Sequence, residues 1–382
     1  MSRSQAPPVH PEQPSCHRLA ILPGDGIGRE VTEQAVGVLR EAARLDGCRR
    51  LELADGRIGG DALEHHGEPL PAATAELCRT ADAVLLGAVG GPQWDGVDAL
   101  RRPEAGLLAL RRELDLFANI RPVHAYPQLA AASPLRADLV AGADLVIYRE
   151  LGGGLYYGRP RLTEPWPGPG GGDERAVDTM VYTTAEIERL VRLGFEAARR
   201  RRGLVTSVDK ANVLECSRLW RRTVQQVARD YPDVQVEHAY VDSAAMELVA
   251  RPRRFDVIVT ENTFGDILSD LAACIGGSMG MLPSASLGTR GALYEPVHGS
   301  APDIAGQDRA NPLAAILSAA MMCELSLDWP AAARAIRTAV AAVLDAGYRT
   351  ADIAGGRAGD ACGTAEMGRR VRETLAKVWS VA

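Results

Sequence analysis

Lysine is nearly absent from this chain. Only two of its 43 basic residues, Lys210 and Lys377, are lysine, and the rest are arginine. Asparagine is almost as scarce, occurring at Asn119, Asn212, Asn262 and Asn311. Residue types used so sparingly are expected where a substitute fails. A surplus of positive charge is also missing. The net charge of -6 argues against a nucleic-acid partner, because phosphate binding rests on positive charge. No uninterrupted apolar run approaches the roughly 20 residues that span a bilayer, so no membrane partner is expected. The opening residues MSRSQAPPVHPEQPSCHR lack the apolar stretch of a secretory signal, and their Pro and Gln content reads as a disordered tail over 1–17. The cysteines at 16, 48, 78, 216, 274, 323 and 362 have no thiolate metal-site spacing. Their odd number and scatter suit a reducing cytoplasm.

What remains is the composition of a soluble globular protein, and 382 residues are too many for one ordinary core and fit two domains. Arg18–Leu22 reads as a buried strand. The period of the apolar residues then predicts a helix over about Arg29–Arg44. Further strand-like runs lie at Ala83–Leu86, Leu145–Tyr148, Leu204–Val208 and Phe255–Thr260. Helical patterns cover Glu104–Leu114, Thr184–Arg202, Asn212–Asp230, Phe264–Ile275, Asn311–Leu325, Pro330–Asp345 and Thr364–Trp379. Alternation of the two predicts an α/β architecture with substantial parallel pairing. Pro165–Gly172 is too rich in Pro and Gly for a core element and reads as an exposed loop or protruding arm.

Several motifs carry chemistry. Gly24-Asp25-Gly26-Ile27-Gly28 follows a strand, but its spacing is not that of the dinucleotide fingerprint, so a tight turn and a ligand loop fit equally. Asp266 and Asp270 are four apart and share one helical face. They suit a hard Mg²⁺ or Mn²⁺ that keeps positions open for substrate oxygens, or else a capped, solvated face. Lys210 ends a strand, where ligand sites of open α/β sheets gather. Unlike arginine it can give up its proton when its surroundings lower its pKa. Arg111, Arg121 and Arg149 could grip carboxylates with their guanidinium forks, although in a chain with 41 arginines each alone reads first as a surface residue. Tyr156, beside Gly152-Gly153-Gly154, is either a proton donor or a packed aromatic. Glu295–Gly306 is a Gly/Pro-rich polar loop that could receive a nucleotide, with Ser300 at phosphate, His298 at adenine and Asp303 at a ribose diol, or it is an ordinary loop.

Taken in order, LPGDGIG, Gly90-Gly91-Pro92-Gln93-Trp94-Asp95, the stretch Arg102–Pro122, SVDKANVLE, FGDILSD and EPVHGSAPDIAG closely resemble the β-decarboxylating dehydrogenases, the isocitrate/isopropylmalate dehydrogenase family, and most of all its isopropylmalate branch. The likeness runs from about Arg18 to the C-terminus. It implies a two-domain α/β fold distinct from the Rossmann fold. One domain would combine 18–116 and 277–382 for the cofactor. The other, 117–276, would hold the substrate and carry an arm at about 151–182 that engages a second subunit. A homodimer with shared active sites is implied.

The implied activity is NAD-dependent oxidative decarboxylation of 3-isopropylmalate with Mg²⁺ or Mn²⁺, in leucine biosynthesis. D-malate, tartrate or another 3-substituted malate are the alternative substrates. A non-catalytic regulatory paralogue is the alternative of another class. By the same resemblance, Arg111, Arg121 and Arg149 would hold substrate carboxylates. Asp266 and Asp270, with Asp242 of the other subunit, would hold the metal, and Asp242 would also lie at the substrate. Lys210 of the other subunit would act at the hydroxyl, and Tyr156 would protonate the carbon left by decarboxylation. Glu104 would lie near the nicotinamide. Leu107, Leu108 and Val213 would contact the isopropyl group. Glu295, His298, Gly299, Ser300, Ala301, Asp303, Ile304 and Asn311 would bind the cofactor. A carboxylate at Asp303 favours NAD, because it accepts from both ribose hydroxyls and repels a 2′-phosphate. Glu261 stands where isopropylmalate enzymes often have a small residue, and Gly152-Gly153-Gly154 replaces the more usual Thr-Gly-Gly.

Overall fold

The computed structural model describes residues 15–98, 101–167, 172–355 and 361–380. Twelve strands occur among them: β1 (Ser15–Gly24), β2 (Arg49–Asp55), β3 (Ala83–Ala88), β4 (Leu116–His124), β5 (Asp144–Glu150), β6 (Leu162–Trp166), β7 (Asp173–Val177), β8 (Leu204–Asp209), β9 (Gln235–Tyr240), β10 (Val257–Thr260), β11 (Pro283–Gly288) and β12 (Ala292–Pro296). The helices are α1 (Gly28–Asp46), α2 (Gly59–His66), α3 (Ala72–Thr80), α4 (Pro103–Glu113), α5 (Ala137–Val140), α6 (Thr184–Arg199), α7 (Glu215–Val227), α8 (Val241–Ala250), α9 (Asn262–Gly276), α10 (Leu313–Leu325), α11 (Pro330–Asp345) and α12 (Thr364–Val378).

Ten strands form one mixed sheet in the order β2-β1-β3-β12-β11-β4-β5-β10-β8-β9. Pairing is parallel at both ends and antiparallel through β12, β11, β4 and β5 in the middle. This order differs from the doubly wound dinucleotide fold, which agrees with the missing fingerprint spacing. Strands from 15–88 and 283–296 make one side of the sheet and strands from 116–260 the other. Helices cover both faces, so central strands such as β3 and β10 are buried along their whole length and read as unbroken apolar runs. Helix α10 is buried continuously from Leu313 to Cys323, against β11, β12, α1 and α11. Its amphipathic signal is therefore weak, as expected for a helix enclosed on all sides.

Some boundaries differ from the sequence reading. Residues 1–14 of the expected tail lie outside the described residues. Ser15–His17 instead begin β1, because Arg49–Leu51 of β2 offer them a parallel partner. Helix α7 starts at Glu215 rather than Asn212, since Val213 and Leu214 both donate to the Lys210 carbonyl in a turn. The Pro/Gly-rich stretch contributes to a separate two-stranded antiparallel ribbon, β6–β7, in which Trp166 pairs with Asp173. Residues 168–171 of that stretch lie outside the described residues.

Candidate active site

The site gathers where β4, β5 and β10 meet helix α9. Helix α9 opens immediately after β10, with Glu261 as its N-cap accepting from the Thr263 and Phe264 amides at 3.0 and 2.7 Å. A carboxylate in that place satisfies orphan N–H groups and complements the helix dipole. Burial raises the Glu261 pKa, against the pull of those amides. The Tyr182 hydroxyl donates to Glu261 at 3.1 Å and accepts from the Asn262 amide at 3.0 Å, so the cap is itself held. This gives Glu261 a structural place that its departure from the family pattern did not reveal.

One turn further on, Asp266 faces the sheet. The Arg149 Nη1 lies 2.5 Å from its Oδ1, Arg121 Nη2 lies 3.4 Å from the same oxygen, and the Tyr156 hydroxyl donates to Oδ2 at 2.9 Å. Arg121 also reaches Asp270 at 3.1 Å. The sequence-predicted Arg121, Arg149, Tyr156, Asp266 and Asp270 are thus brought together by one chain. Both arginines are buried, and desolvation pulls their pKa values down. The two aspartates are pushed apart. Burial favours protonation of each, but Arg149 and Arg121 outweigh it at Asp266 and leave that carboxyl below its ordinary value. At Asp270 burial prevails, helped by the charge of Asp266, and the pKa rises. Tyr156 is raised by burial and by the adjacent Asp266 charge, so its hydroxyl keeps its proton at neutral pH.

Two of the four asparagines hold these arginines. Asn119 accepts from Arg121 Nε at 2.7 Å while donating to Ser286 across to β11. Asn262 accepts from Arg149 Nε at 2.9 Å and donates to the Leu151 and Gly153 carbonyls, which fixes the glycine turn that leads to Tyr156. Neither was assigned to the site from sequence, although scarcity singled both out. Gly265 is a third missed residue. A β-carbon there would stand 2.6 Å from Arg149 Cγ, so only glycine lets the side chain pass α9.

Arg111, on α4, is placed differently. Its Nη2 is 3.0 Å from Glu295 Oε1, so Glu295, expected to bind cofactor, also neutralises an arginine. Leu107 and Leu108 lie half-buried on the same helix. Exposed Glu104 reaches the Gly90 turn: a β-carbon on Gly90 would lie 2.8 Å from Glu104 Oε1 and 4.0 Å from Ser300 Oγ.

The Gly24–Gly28 loop is a tight turn that anchors other loops. Gly24 and Gly26 have positive φ, and Asp25, also missed from sequence, accepts from the amides of Gly60, Asp61 and Gly90, each at 2.8 Å. Ile27 donates to the Ser300 carbonyl at 2.8 Å, which docks the 295–306 loop on it. Beside that loop is a cavity of about 430 Å³ lined by Ile27, His298, Ile304, Asn311 and Asp352. Burial lowers the His298 pKa and keeps the ring neutral, and its Nε2 is buried without a partner. An orphaned ring nitrogen over an apolar cavity fits a nucleobase edge. Gly299 and Asp303 are exposed on the same loop, and Ala301 turns it with φ 37°. The Asn311 side chain is already engaged. Its oxygen accepts from the Leu313 amide at the start of α10, and its nitrogen donates to Asp352 at 3.0 Å. Asp352 carried no local sequence signal.

Lys210 and Asp242 stand apart from this cluster. They follow β8 and β9, whose last residues pair, and the Lys210 Nζ lies 2.5 Å from Asp242 Oδ1. The hydrogen bond from Lys210 lowers the Asp242 pKa. Val213 shares the Lys210 turn and is 61 % exposed rather than packed. Among the described residues no three His, Cys, Asp or Glu side chains converge as a metal-ligand set. Asp266 and Asp270 supply the hard oxygen donors that Mg²⁺ or Mn²⁺ prefers. Met246 on α8 and Ile267 on α9, helices that pack together, are 73 % and 60 % exposed. No helix among the described residues is long and apolar enough to cross a membrane.

A family model described as isocitrate/isopropylmalate dehydrogenase matches residues 18–371. The 3-isopropylmalate dehydrogenase of Geobacillus kaustophilus is 58% identical over 89% of this chain and 91% of its own. That of Aquifex aeolicus is 51% identical over 95% and 98%. Among solved structures, the isocitrate dehydrogenase of Methylococcus capsulatus superposes with a TM-score of 0.82 at 36% identity, covering 94% of this chain and 99% of that one. A β-decarboxylating dehydrogenase of Thermococcus kodakarensis gives 0.74 at 37% identity, covering 95% and 97%.

Proposed function

The chain belongs to the isocitrate/isopropylmalate dehydrogenase family, and from that membership we propose that it catalyses the NAD-dependent oxidative decarboxylation of (2R,3S)-3-isopropylmalate to 4-methyl-2-oxopentanoate in leucine biosynthesis. The observation that carries the reading is the convergence of Arg121, Arg149 and the Tyr156 hydroxyl on Asp266. Relatives bearing that enzyme name at 51–58% identity support the substrate, as do the half-buried Leu107 and Leu108, which offer a hydrocarbon branch an apolar place. The site acts in the cytoplasm.

In this reading Arg111, Arg121 and Arg149 hold the two carboxylates, and the buried sites of Arg121 and Arg149 strengthen those charge-assisted bonds by excluding water. Asp266, Asp270 and the equivalent of Asp242 from a second copy hold Mg²⁺ or Mn²⁺. A bound divalent ion supplies Lewis-acid polarisation of the substrate hydroxyl and NAD supplies the hydride acceptor. Lys210 of the second copy takes the hydroxyl proton. Tyr156 keeps its proton through burial and the Asp266 charge, and delivers it to the carbon from which carbon dioxide has left. His298 receives the adenine edge, Ser300 and the Gly299 amide the phosphates, and Asp303 the ribose diol. In this reading the protein is a homodimer, and the exposed Met246 and Ile267 are apolar side chains that a second copy would cover.

NADH production by the purified protein tests the proposal, with 3-isopropylmalate, D-malate, tartrate and isocitrate as substrates and Mg²⁺ or Mn²⁺ present. The highest kcat/KM is expected with 3-isopropylmalate. A higher value with another acid would reassign the substrate, and no turnover with any of them would remove the reaction.

A further inference from the structure

The sheet carries a second large cavity on the face opposite to the arginine–aspartate cluster. Successive residues of a strand point to opposite faces. Asn119, Arg121 and Arg149 therefore face the cluster, while Ile120, Pro122, Val146 and Tyr148 of the same strands line a cavity of about 720 Å³ behind it. The end of α6 bounds it on one side, and α10 and α11 bound it on the other. Leu317 and Met321 complete an apolar floor. Small-molecule sites typically measure about 300–1,000 Å³.

Two polar groups of this cavity lack partners. Tyr148 is mostly buried, and its hydroxyl, which makes no hydrogen bond among the described residues, is open to the cavity. Burial raises its pKa, so it remains a donor. Arg200, just past the end of α6, enters no ion pair or side-chain hydrogen bond among the described residues. The other charges lining the mouth cancel. Arg201 pairs with Asp144 at 3.0 Å, and Arg337 pairs with Glu324. One guanidinium is left uncompensated, close enough to Tyr148 to bias its ionisation.

We propose that this cavity binds a small amphiphilic carboxylate, with its aliphatic part on the floor formed by Ile120, Pro122, Val146, Leu317 and Met321 and its carboxylate accepting from Arg200 and the Tyr148 hydroxyl. A hydroxyl donor opening onto the cavity and a cation without a counter-charge beside it can both be engaged by one anionic group. A cationic amphiphile would fill the same floor and add to the positive charge. The site is distinct from the catalytic one because the thickness of the sheet lies between them.

Calorimetric titration of the full chain with octanoate tests this, with octylamine as the cationic counterpart of equal tail length. Saturable binding of one octanoate per chain is expected, with octylamine at least about tenfold weaker. Arg200→Ala removes an exposed side chain, and Tyr148→Phe keeps the ring, so both variants should fold. Each should weaken octanoate, the first by about tenfold or more. Absence of saturable binding overturns the proposal. So does unchanged affinity in both variants, which would place the carboxylate elsewhere, or octylamine binding as tightly as octanoate.

Discussion

The Tyr156 hydroxyl donates to Asp266 Oδ2 at 2.9 Å, while the other oxygen of that carboxylate faces the buried Arg149 guanidinium. A carboxylate expected to hold metal thus lies against a cation expected to hold substrate. It also anchors the hydroxyl expected to give up a proton. Binding of a divalent ion at Asp266 would relieve it of these duties and free both partners for the substrate.

Tyr156→Phe removes the hydroxyl and leaves the ring over Arg149, with which it now stacks 5.7 Å from centroid to guanidinium carbon. We expect kcat to fall by about 10²–10⁴, as for loss of a general acid, with little change in KM for 3-isopropylmalate. Steady-state kinetics checks this, and a kcat near the parent value would remove Tyr156 from the proton step.

Lys210→Met and Asp266→Asn should each lower turnover by at least about 10²-fold. If the sites are shared, a mixed dimer of the two variants rebuilds one intact site from the unmutated halves. Co-refolding equal amounts should then recover about a quarter of parental turnover by random pairing. Recovery of none would place Lys210 and Asp266 of one chain in the same site and overturn the sharing between subunits.

Gly265→Ala inserts a β-carbon 2.6 Å from Arg149 Cγ and 2.7 Å from its Cβ. These atoms are close to the β5 backbone and cannot swing away. The variant should lose roughly 1–3 kcal/mol of stability through overpacking and raise KM for the substrate as Arg149 is displaced. Thermal melts and Michaelis curves read the two effects. An unchanged KM would show that Arg149 does not grip substrate.

Asp303→Lys exchanges a carboxylate that repels a 2′-phosphate for a cation that attracts it. The ratio of kcat/KM for NAD over NADP should fall, and an unaltered ratio would separate Asp303 from the ribose.

Glu150 accepts from the Gly152 and Gly153 amides, but burial wins and raises its pKa from 4.5 to about 7. The folded chain therefore holds a proton that the unfolded chain has released between those values. Its contribution to stability declines as pH climbs through that window. Glu150→Gln should flatten the decline in urea-melt stability over the same range. Equal slopes in the two proteins would mean that Glu150 is ionised throughout.

Much of the architecture was legible in the chain because buried elements leave local patterns. The unbroken apolar runs of β3 and β10 and the periodic faces of α1 and α11 announced themselves. Strands β2, β4, β9, β11 and β12 did not. β2 and β9 are sheet edges with mixed exposure, and the polar residues of β4 and β11 are buried only because Asn119 and Ser286 meet across the pair. Asp352 was invisible for a similar reason: its neighbours Ser278 and Asn311 are far away in sequence.

The order and spacing of the motifs, by themselves, determined the family, the reaction class and the residue types available for it, since those rest on chemical identity and short-range position. Tertiary structure decided the pairings. Only folding sets Arg149 against Asp266, turns Glu295 to Arg111, leaves His298 Nε2 without a partner and carries Lys210 and Asp242 away from the cluster on the same chain. Which charges neutralise one another depends on distances of a few ångströms across separate strands and helices, and residue order does not specify which groups the fold brings that close in an interior where each pairing counts for more than in water.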